Sequence, residues 1–123
     1  MAQNKAFRFG PVALSATLTT NILNPPTTTG GTNAGSSSQY IILRHIRIVN
    51  KTGGAVTFSL YLGSTGANAA GTEVIGTTYS IAANSAYDWY GALRLDAADF
   101  LVGGASAGTS LTINGEGEIG VAG

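Results

Sequence analysis

The chain of 123 residues contains no cysteine, one histidine, one tryptophan and only six acidic and six basic side chains. Without cysteine it has neither a disulfide framework nor a thiolate metal site. No segment reaches the roughly 18 consecutive apolar residues of a membrane helix, so we expect no membrane partner. One histidine and few carboxylates leave little material for acid–base or nucleophilic catalysis. We therefore expect no enzymatic activity, no catalytic residues, no metal and no cofactor.

Small residues are what the chain has in abundance: 18 Gly, 18 Ala, 15 Thr and 10 Ser. Hydrophobic residues make up 44% of it, which argues against intrinsic disorder, and its length is that of one domain. Charged residues make up only 10%, and the net charge is zero, which favours association. Composition alone leaves two possibilities open, a small self-contained domain and a domain whose surface is covered by neighbours.

The strongest strand signal lies at 40–50, YIILRHIRIVN, where β-branched residues dominate. Strict alternation would place Ile42, Ile46 and Ile48 on one face, and Arg44 on the face opposite Arg47. His45 would then share the face of Arg47.

The next segment, 56–62, alternates between apolar and polar residues after the Gly-containing turn at 51–54. We therefore predict that 40–50 and 56–62 form a β-hairpin. The predicted core consists of Ile46, Ile48, Val56, Phe58, Leu60 and Leu62.

The rest of the chain repeats short strand signals every eight to twelve residues, and no helical apolar period is sustained. The only helical structure that we consider is a single turn near 96–99. This pattern predicts a single all-β, antiparallel β-sandwich or barrel of about eight strands. The segments with strand signals are 12–23, 40–50, 56–62, 73–75, 77–81, 87–90, 93–95, 100–102, 110–113 and 116–121.

Two segments lie outside the alternating pattern, so we divide the chain into an N-terminal arm at 1–11 and a sandwich domain at 12–123 with a long loop at 24–38. Phe7 and Phe9 would give an extended arm two aromatic anchors for a groove on a neighbour. The alternative is an arm that folds back as an edge strand, and the loop is either a contact-making segment or simply mobile. The candidate interface residues are Phe7, Arg8, Phe9, Pro25, Pro26 and Arg47.

The sequence at 115–120, GEGEIG, matches a dinucleotide-binding fingerprint by letters alone. That motif needs a helix after its glycines, and too few residues follow here for one. His45 has no accompanying nucleophile motif, and no spacing selects a carboxylate pair such as Asp88 with Asp96 or Asp99.

Two surface features suggest ligands. The basic cluster around 44–51 is set in a chain of zero net charge, so we expect no nucleic-acid partner. Tyr87, Trp89 and Tyr90 could form a platform on which a sugar stacks. The alternative is that Tyr87 and Trp89 share one face and fill the core.

Four stretches of the chain resemble small virion proteins of tailed bacteriophages. The shared order is a strand ending in Asn-x-Thr, its partner, an "ANS" turn, an aromatic strand, an acidic turn and a Gly-rich end. The matching stretches are HIRIVNKT at 45–52, AVTFSLYLG at 55–63, IAANS at 81–85 and LDAADFL at 95–101.

The resemblance implies a jelly-roll-like sandwich that decorates or cements a capsid, without catalytic or cofactor residues. The expected partners are the major capsid protein, copies of the chain itself, or both, with a trimer favoured. Synthesis in the host cytoplasm and a place on the capsid surface would follow. A tail or head–tail connector protein and a carbohydrate-binding module are the alternatives.

Overall fold

The computed structural model describes residues 4–25, 38–66 and 71–121, and in these ranges every regular element is a β-strand. The prediction of an all-β chain is thereby confirmed. The strands are β1 (Asn4–Ala13), β2 (Asn21–Leu23), β3 (Ser38–Asn50), β4 (Val56–Gly63), β5 (Glu73–Ile81), β6 (Ser85–Asp96), β7 (Phe100–Ala105) and β8 (Leu111–Val121).

The strands pair from the outside of the chain inward: β1 with β8, β2 with β7, β3 with β6, and β4 with β5, all antiparallel. Two further pairings, β3 with β8 and β4 with β7, join them into two four-stranded sheets. The orders are β1-β8-β3-β6 and β2-β7-β4-β5. This nested pairing, rolled into two packed sheets, is the double Greek key of a jelly roll.

One apolar core fills the space between the two sheets. Ile46 and Ile48 from β3 face Phe58 and Leu60 from β4, and all four are at most 1% exposed. The predicted core is confirmed, with Leu62 half-buried at its margin. Burying a side chain of this size contributes roughly 1.5–3 kcal/mol.

The predicted hairpin between β3 and β4 is wrong. β3 pairs with β6 and β8, whereas β4 pairs with β5 and β7, so the turn after Asn50 crosses from one sheet to the other. Both strands are amphipathic, and they meet face to face across the core rather than edge to edge. Neighbours in the sequence are therefore not neighbours in a sheet at this point.

Asn50 fixes this crossing from a fully buried position. Its side-chain amide nitrogen donates to the carbonyls of Gly54, Ile81 and Ala82 at 2.9, 3.0 and 3.2 Å. Its side-chain oxygen accepts from the backbone nitrogen and the hydroxyl of Thr52 at 2.9 and 2.7 Å. The Asn-x-Thr pattern thus ties the β3–β4 turn to the end of β5.

The predicted arm is also corrected by the structure. Residues 4–11 belong to β1, which pairs with β8 at the edge of the first sheet, and Phe7 and Phe9 are only 2% and 1% exposed. This is the alternative of an added edge strand. Phe7 and Phe9 are in register with Gly117 and Gly115 of β8, and the ring of Phe9 occupies the space that a side chain at position 115 would fill.

The GEGEIG segment owes its glycines to packing. A Cβ at Gly117 would collide with the backbone carbonyl of Ile42, and one at Gly115 would collide with the ring of Phe9. The segment is a continuous part of β8, whereas the sequence pattern divides it near 114–115.

Several strand boundaries differ from those predicted. The segment 12–23 contains the end of β1, a connection at 14–20 and the short β2. The signals at 73–75 and 77–81 belong to the single strand β5, and the predicted helical turn at 96–99 is a simple turn. In the loop at 24–38, Pro25 is buried, while Pro26 and most of the loop lie outside the described residues.

Candidate functional site

The outer surface of the β1-β8-β3-β6 sheet holds most of the charge of this protein. All four arginines and four of the six acidic residues lie there, together with the only histidine. We call this surface the charged face. It consists of Arg8, Tyr40, Arg44, His45, Arg47, Asp88, Tyr90, Arg94, Asp96, Glu116 and Glu118.

A β-bulge in β3 brings the basic side chains of this strand to one side. The register with β8 shifts between Leu43 and His45, and it leaves Arg44 without a partner in the ladder. Inward-facing positions therefore change from Ile41 and Leu43 before the bulge to even-numbered positions after it. The predicted parity, with Arg44 opposite Arg47, is wrong for this reason.

His45 is at the centre of the charged face, between carboxylates from two neighbouring strands. Its Nε2 lies 2.8 Å from Oδ1 of Asp88 on β6, and its Nδ1 lies 3.3 Å from Oε1 of Glu116 on β8. Arg47 also contacts Asp88, with 3.0 Å between Nε and Oδ1. The imidazole stacks on Tyr90, whose ring centroid lies 4.6 Å away at an interplanar angle of 12°.

The carboxylate of Asp88 is held in its ionised form by these contacts. Its hydrogen bond with His45 has the largest effect and lowers the pKa of Asp88 below its usual value. Partial desolvation opposes this shift, and Arg47 adds to it. Asp88 is therefore a permanent negative charge at the centre of the face near neutral pH.

Tyr90 and Tyr40 add aromatic surface to the charged face. Tyr90 is 72% exposed, an unusual state for a large aromatic ring. Tyr40 lies under the guanidinium carbon of Arg94, at 4.4 Å from the ring centroid. Tyr87 and Trp89, in contrast, pack against the core. The three-ring sugar platform does not form, and the core interpretation of Tyr87 and Trp89 is confirmed.

Ion pairs of this kind add little to folding stability. Arg44 and Glu118 approach to 2.8 Å, yet their side chains are 52% and 39% exposed. Exposed pairs contribute about 0–1 kcal/mol each, because water and salt screen them. Folding stability therefore does not account for the concentration of charge on one face.

The geometry of the charged face does not suit general-base catalysis. Both ring nitrogens of His45 face carboxylates, so neither is directed at a Ser or Thr hydroxyl. Asp88 and Asp96 are eight residues apart on β6, about 26 Å at the usual strand rise, far beyond a glycosidase pair.

Of the candidate interface residues, the structure brings Arg8 and Arg47 together. Both line a depression of about 160 Å³ on the charged face. Phe7, Phe9 and Pro25 are buried elsewhere. Sequence reasoning did not place Asp88, Tyr90 or Glu116 beside His45, because their nearness to His45 depends on strand pairing. Positions 88 and 90, like 116 and 118, are two residues apart and so lie on the same face of a strand. This spacing was the sequence signal that could have grouped them.

A second depression, of about 260 Å³, lies on the other sheet beside the connection at 14–20. Apolar and hydroxyl side chains line it, among them Phe58, Ser59 and Thr78, and no charged group occurs in the described part of this lining. Thr78 and Ile75, in the irregular part of β5, have positive φ angles of 51° and 66°. The lining offers a partner little beyond hydroxyl contacts.

Comparisons with protein-family models, curated proteins and solved structures gave no match. Among the described residues, no group of three or more His, Cys, Asp or Glu side chains is arranged to hold a metal ion. The same part of the chain contains no helix long and apolar enough to cross a membrane.

Proposed function

We propose that this chain is a non-enzymatic virion structural protein of a tailed bacteriophage, a decoration or cement protein that binds the capsid lattice through its charged face. The observation that carries the proposal is the gathering of all four arginines, with exposed tyrosine, on one sheet face of an otherwise weakly charged domain. Arg and Tyr are enriched at protein–protein interfaces and in their energetic hot spots.

The fold supports this proposal by analogy. Jelly rolls occur in viral capsid domains, but also in lectins and cupins. The fold is therefore compatible with a capsid role but does not by itself assign a function. The resemblance of 45–63 and 81–101 to small phage virion proteins favours the first of these classes. Docking through a flat, mixed-charge face also fits a protein whose net charge is zero.

The test is binding to capsids that lack the protein. We expect the purified chain to sediment with such shells at micromolar concentration and at saturable stoichiometry. Tyr90→Ala should weaken binding by about 30-fold or more, the effect of losing a hot spot of 2 kcal/mol. Lys51→Ala, an exposed change in the turn after β3, serves as the control that keeps full affinity. Failure of the wild-type chain to bind shells, or undiminished binding by the Tyr90 variant, would count against the proposal.

Carbohydrate binding is the second candidate, and Tyr90 is the observation that favours it. An exposed ring stacked on His45, whose imidazole contacts the carboxylate of Asp88, offers stacking and nearby hydrogen-bonding groups to a sugar. Retention of the wild-type chain on a polysaccharide column, lost in Tyr90→Ala, would support this candidate. Binding to isolated tails but not to capsids would instead favour a tail or connector protein.

A further inference from the structure

Arg8 differs from the other arginines of the charged face. Within residues 4–25, 38–66 and 71–121 it has no carboxylate partner, although its register neighbour on β8 is Glu116. The other three arginines each have a carboxylate within 3.0 Å: Arg44 has Glu118, Arg47 has Asp88 and Arg94 has Asp96.

The reason is that Glu116 points to His45 instead. Its Oε1 lies 3.3 Å from Nδ1 of the imidazole, while the other ring nitrogen is 2.8 Å from Asp88. A neutral imidazole has one N–H and one lone pair, so only the protonated ring can donate to both carboxylates. His45 can therefore donate to Asp88 and Glu116 at the same time only when its ring carries both protons.

The free guanidinium of Arg8 opens onto the depression of about 160 Å³ on the charged face, beside Arg47 and the side-chain amide of Asn114. A guanidinium can bind a carboxylate through two parallel hydrogen bonds, and an amide nitrogen can donate a third. The depression thus offers donors for a carboxylate, and Arg8 has no carboxylate partner among the residues that the structure describes.

We propose that this depression binds a carboxylate of a partner protein, with Arg8 as the cation that receives it. Protonation of His45 controls the site, because it decides whether Glu116 pairs with His45 or with Arg8.

The control follows from the arrangement of charges around His45. The charged and titratable groups that face it are Glu116 from β8, Asp88 and Tyr90 from β6, and Arg47 from β3, with Arg8 of β1 across the depression.

When the imidazole loses a proton, it can keep its shorter bond, to Asp88, and then presents a lone pair to Glu116. Glu116 is 66% exposed and free to turn away. Directly opposite residues on paired strands have Cβ atoms about 4.5–5.5 Å apart, so Arg8 is within its reach. Glu116 would then occupy Arg8 and close the site.

The ligand is assigned to a protein because of its surroundings. The depression lies on a sheet face with exposed tyrosine and ion-paired arginines, residue types that are enriched at protein interfaces. This inference takes the partner from the proposed function, but the chemistry of the site does not depend on it. Loss of capsid binding with carboxylate binding intact would refute the proposed function alone.

The test is an NMR titration of the whole ¹⁵N-labelled chain with N-acetyl-aspartate methylamide, at pH 5.5 and pH 8.0 and equal ionic strength. Histidine side chains ordinarily change charge between these values. We expect saturable shifts at the amides of Asn114, Gly115 and Glu116, and binding at least about fivefold tighter at pH 5.5. The neutral N-acetyl-asparagine methylamide should give no saturable shift.

Three variants separate the parts of this inference. Arg8→Gln should abolish binding, and the matched control Lys51→Gln should retain it, since both remove one exposed positive charge. Glu116→Gln should bind equally well at both pH values. Equal binding by the wild-type chain at both pH values would overturn the proton control, and binding that survives Arg8→Gln would overturn the site. Tighter binding of glucuronate than of the aspartate probe would overturn the assignment to a protein partner.

Discussion

Replacing Asn50 with Ala should be among the most damaging polar-to-apolar changes in this domain. The side chain is fully buried, and its two amide hydrogens serve the carbonyls of Gly54, Ile81 and Ala82. Truncation leaves at least two of these acceptors without a donor, and a buried unsatisfied group costs about 1–3 kcal/mol. Because the loss also frees the turn that links the two sheets, we expect a decrease of about 3–4 kcal/mol in the free energy of unfolding.

Urea unfolding followed by tryptophan fluorescence measures this loss. With a slope of about 1.5 kcal/mol/M, the midpoint should fall by about 2 M. Asn21→Ala is the matched control, since that side chain makes two hydrogen bonds, of 2.7 and 2.8 Å, at an exposed position. It should cost less than about 1 kcal/mol. Equal losses in the two variants would refute the assignment of Asn50 as the buried link between sheets.

A carboxyl at position 50 gives an independent check on the same reasoning. Asn50→Asp places a charged acceptor against three carbonyl oxygens, which disfavours ionisation and raises the pKa of the introduced group. Its protonated form can still donate one hydrogen bond. The stability of this variant relative to wild type should therefore rise as the pH falls from 7 towards 4, and a flat or opposite trend would contradict the geometry.

Three further predictions concern β8, β1 and the charged face. Gly117→Ala should cost more than about 2 kcal/mol in thermal or urea unfolding, because its Cβ meets a strand carbonyl, whereas Gly53→Ala has open space and should be nearly neutral. Phe9→Ala should lower the free energy of unfolding by about 3–5 kcal/mol, since the ring is buried in the core of its own chain. An unchanged free energy of unfolding would instead support a separate N-terminal arm. The carboxyl of Asp88 should titrate below its usual value of about 3.9 in a ¹³C NMR experiment, and Arg47→Gln should raise its pKa. Because this pKa is lowered by folding, the contribution to stability is present above pH 4 and is lost as the pH falls through the folded value.

The sequence was sufficient for the fold class and for most of the core. Alternation in β4 correctly places Val56, Phe58 and Leu60 in the core, because the register with β7 continues from Phe58 without a shift. Ser59 lies between two of them and is buried as well, which alternation did not predict. Alternation in β3 fails at Arg44, because a bulge arises from pairing with other strands and leaves no local composition signal. The hairpin prediction also fails because it depends on strand pairing. The turn residues at 51–54 indicate that the chain reverses, but they do not indicate whether it returns to the same sheet or crosses to the other one.

The candidate site was beyond sequence reasoning because its parts are far apart in the chain. His45 meets Asp88 and Glu116 across separations of 43 and 71 residues. Only the strand order, with β3 between β6 and β8, brings them together. The arm prediction fails similarly, since Phe7 and Phe9 are buried where β1 pairs with β8, a strand distant in the sequence.

The pairing of β1 with β8 has a consequence for how the chain reaches its native state. β1 has no other partner strand in the first sheet, and residues 14–110 must leave the ribosome before β8 begins to appear. At a synthesis rate of about 5–20 residues per second, Phe7 and Phe9 stay without their native cover for seconds. Sheets built from such distant segments also fold slowly. Of the pairings between strands, that of β1 with β8 therefore waits longest during synthesis, and in that interval β8 of another copy could take the place of its own.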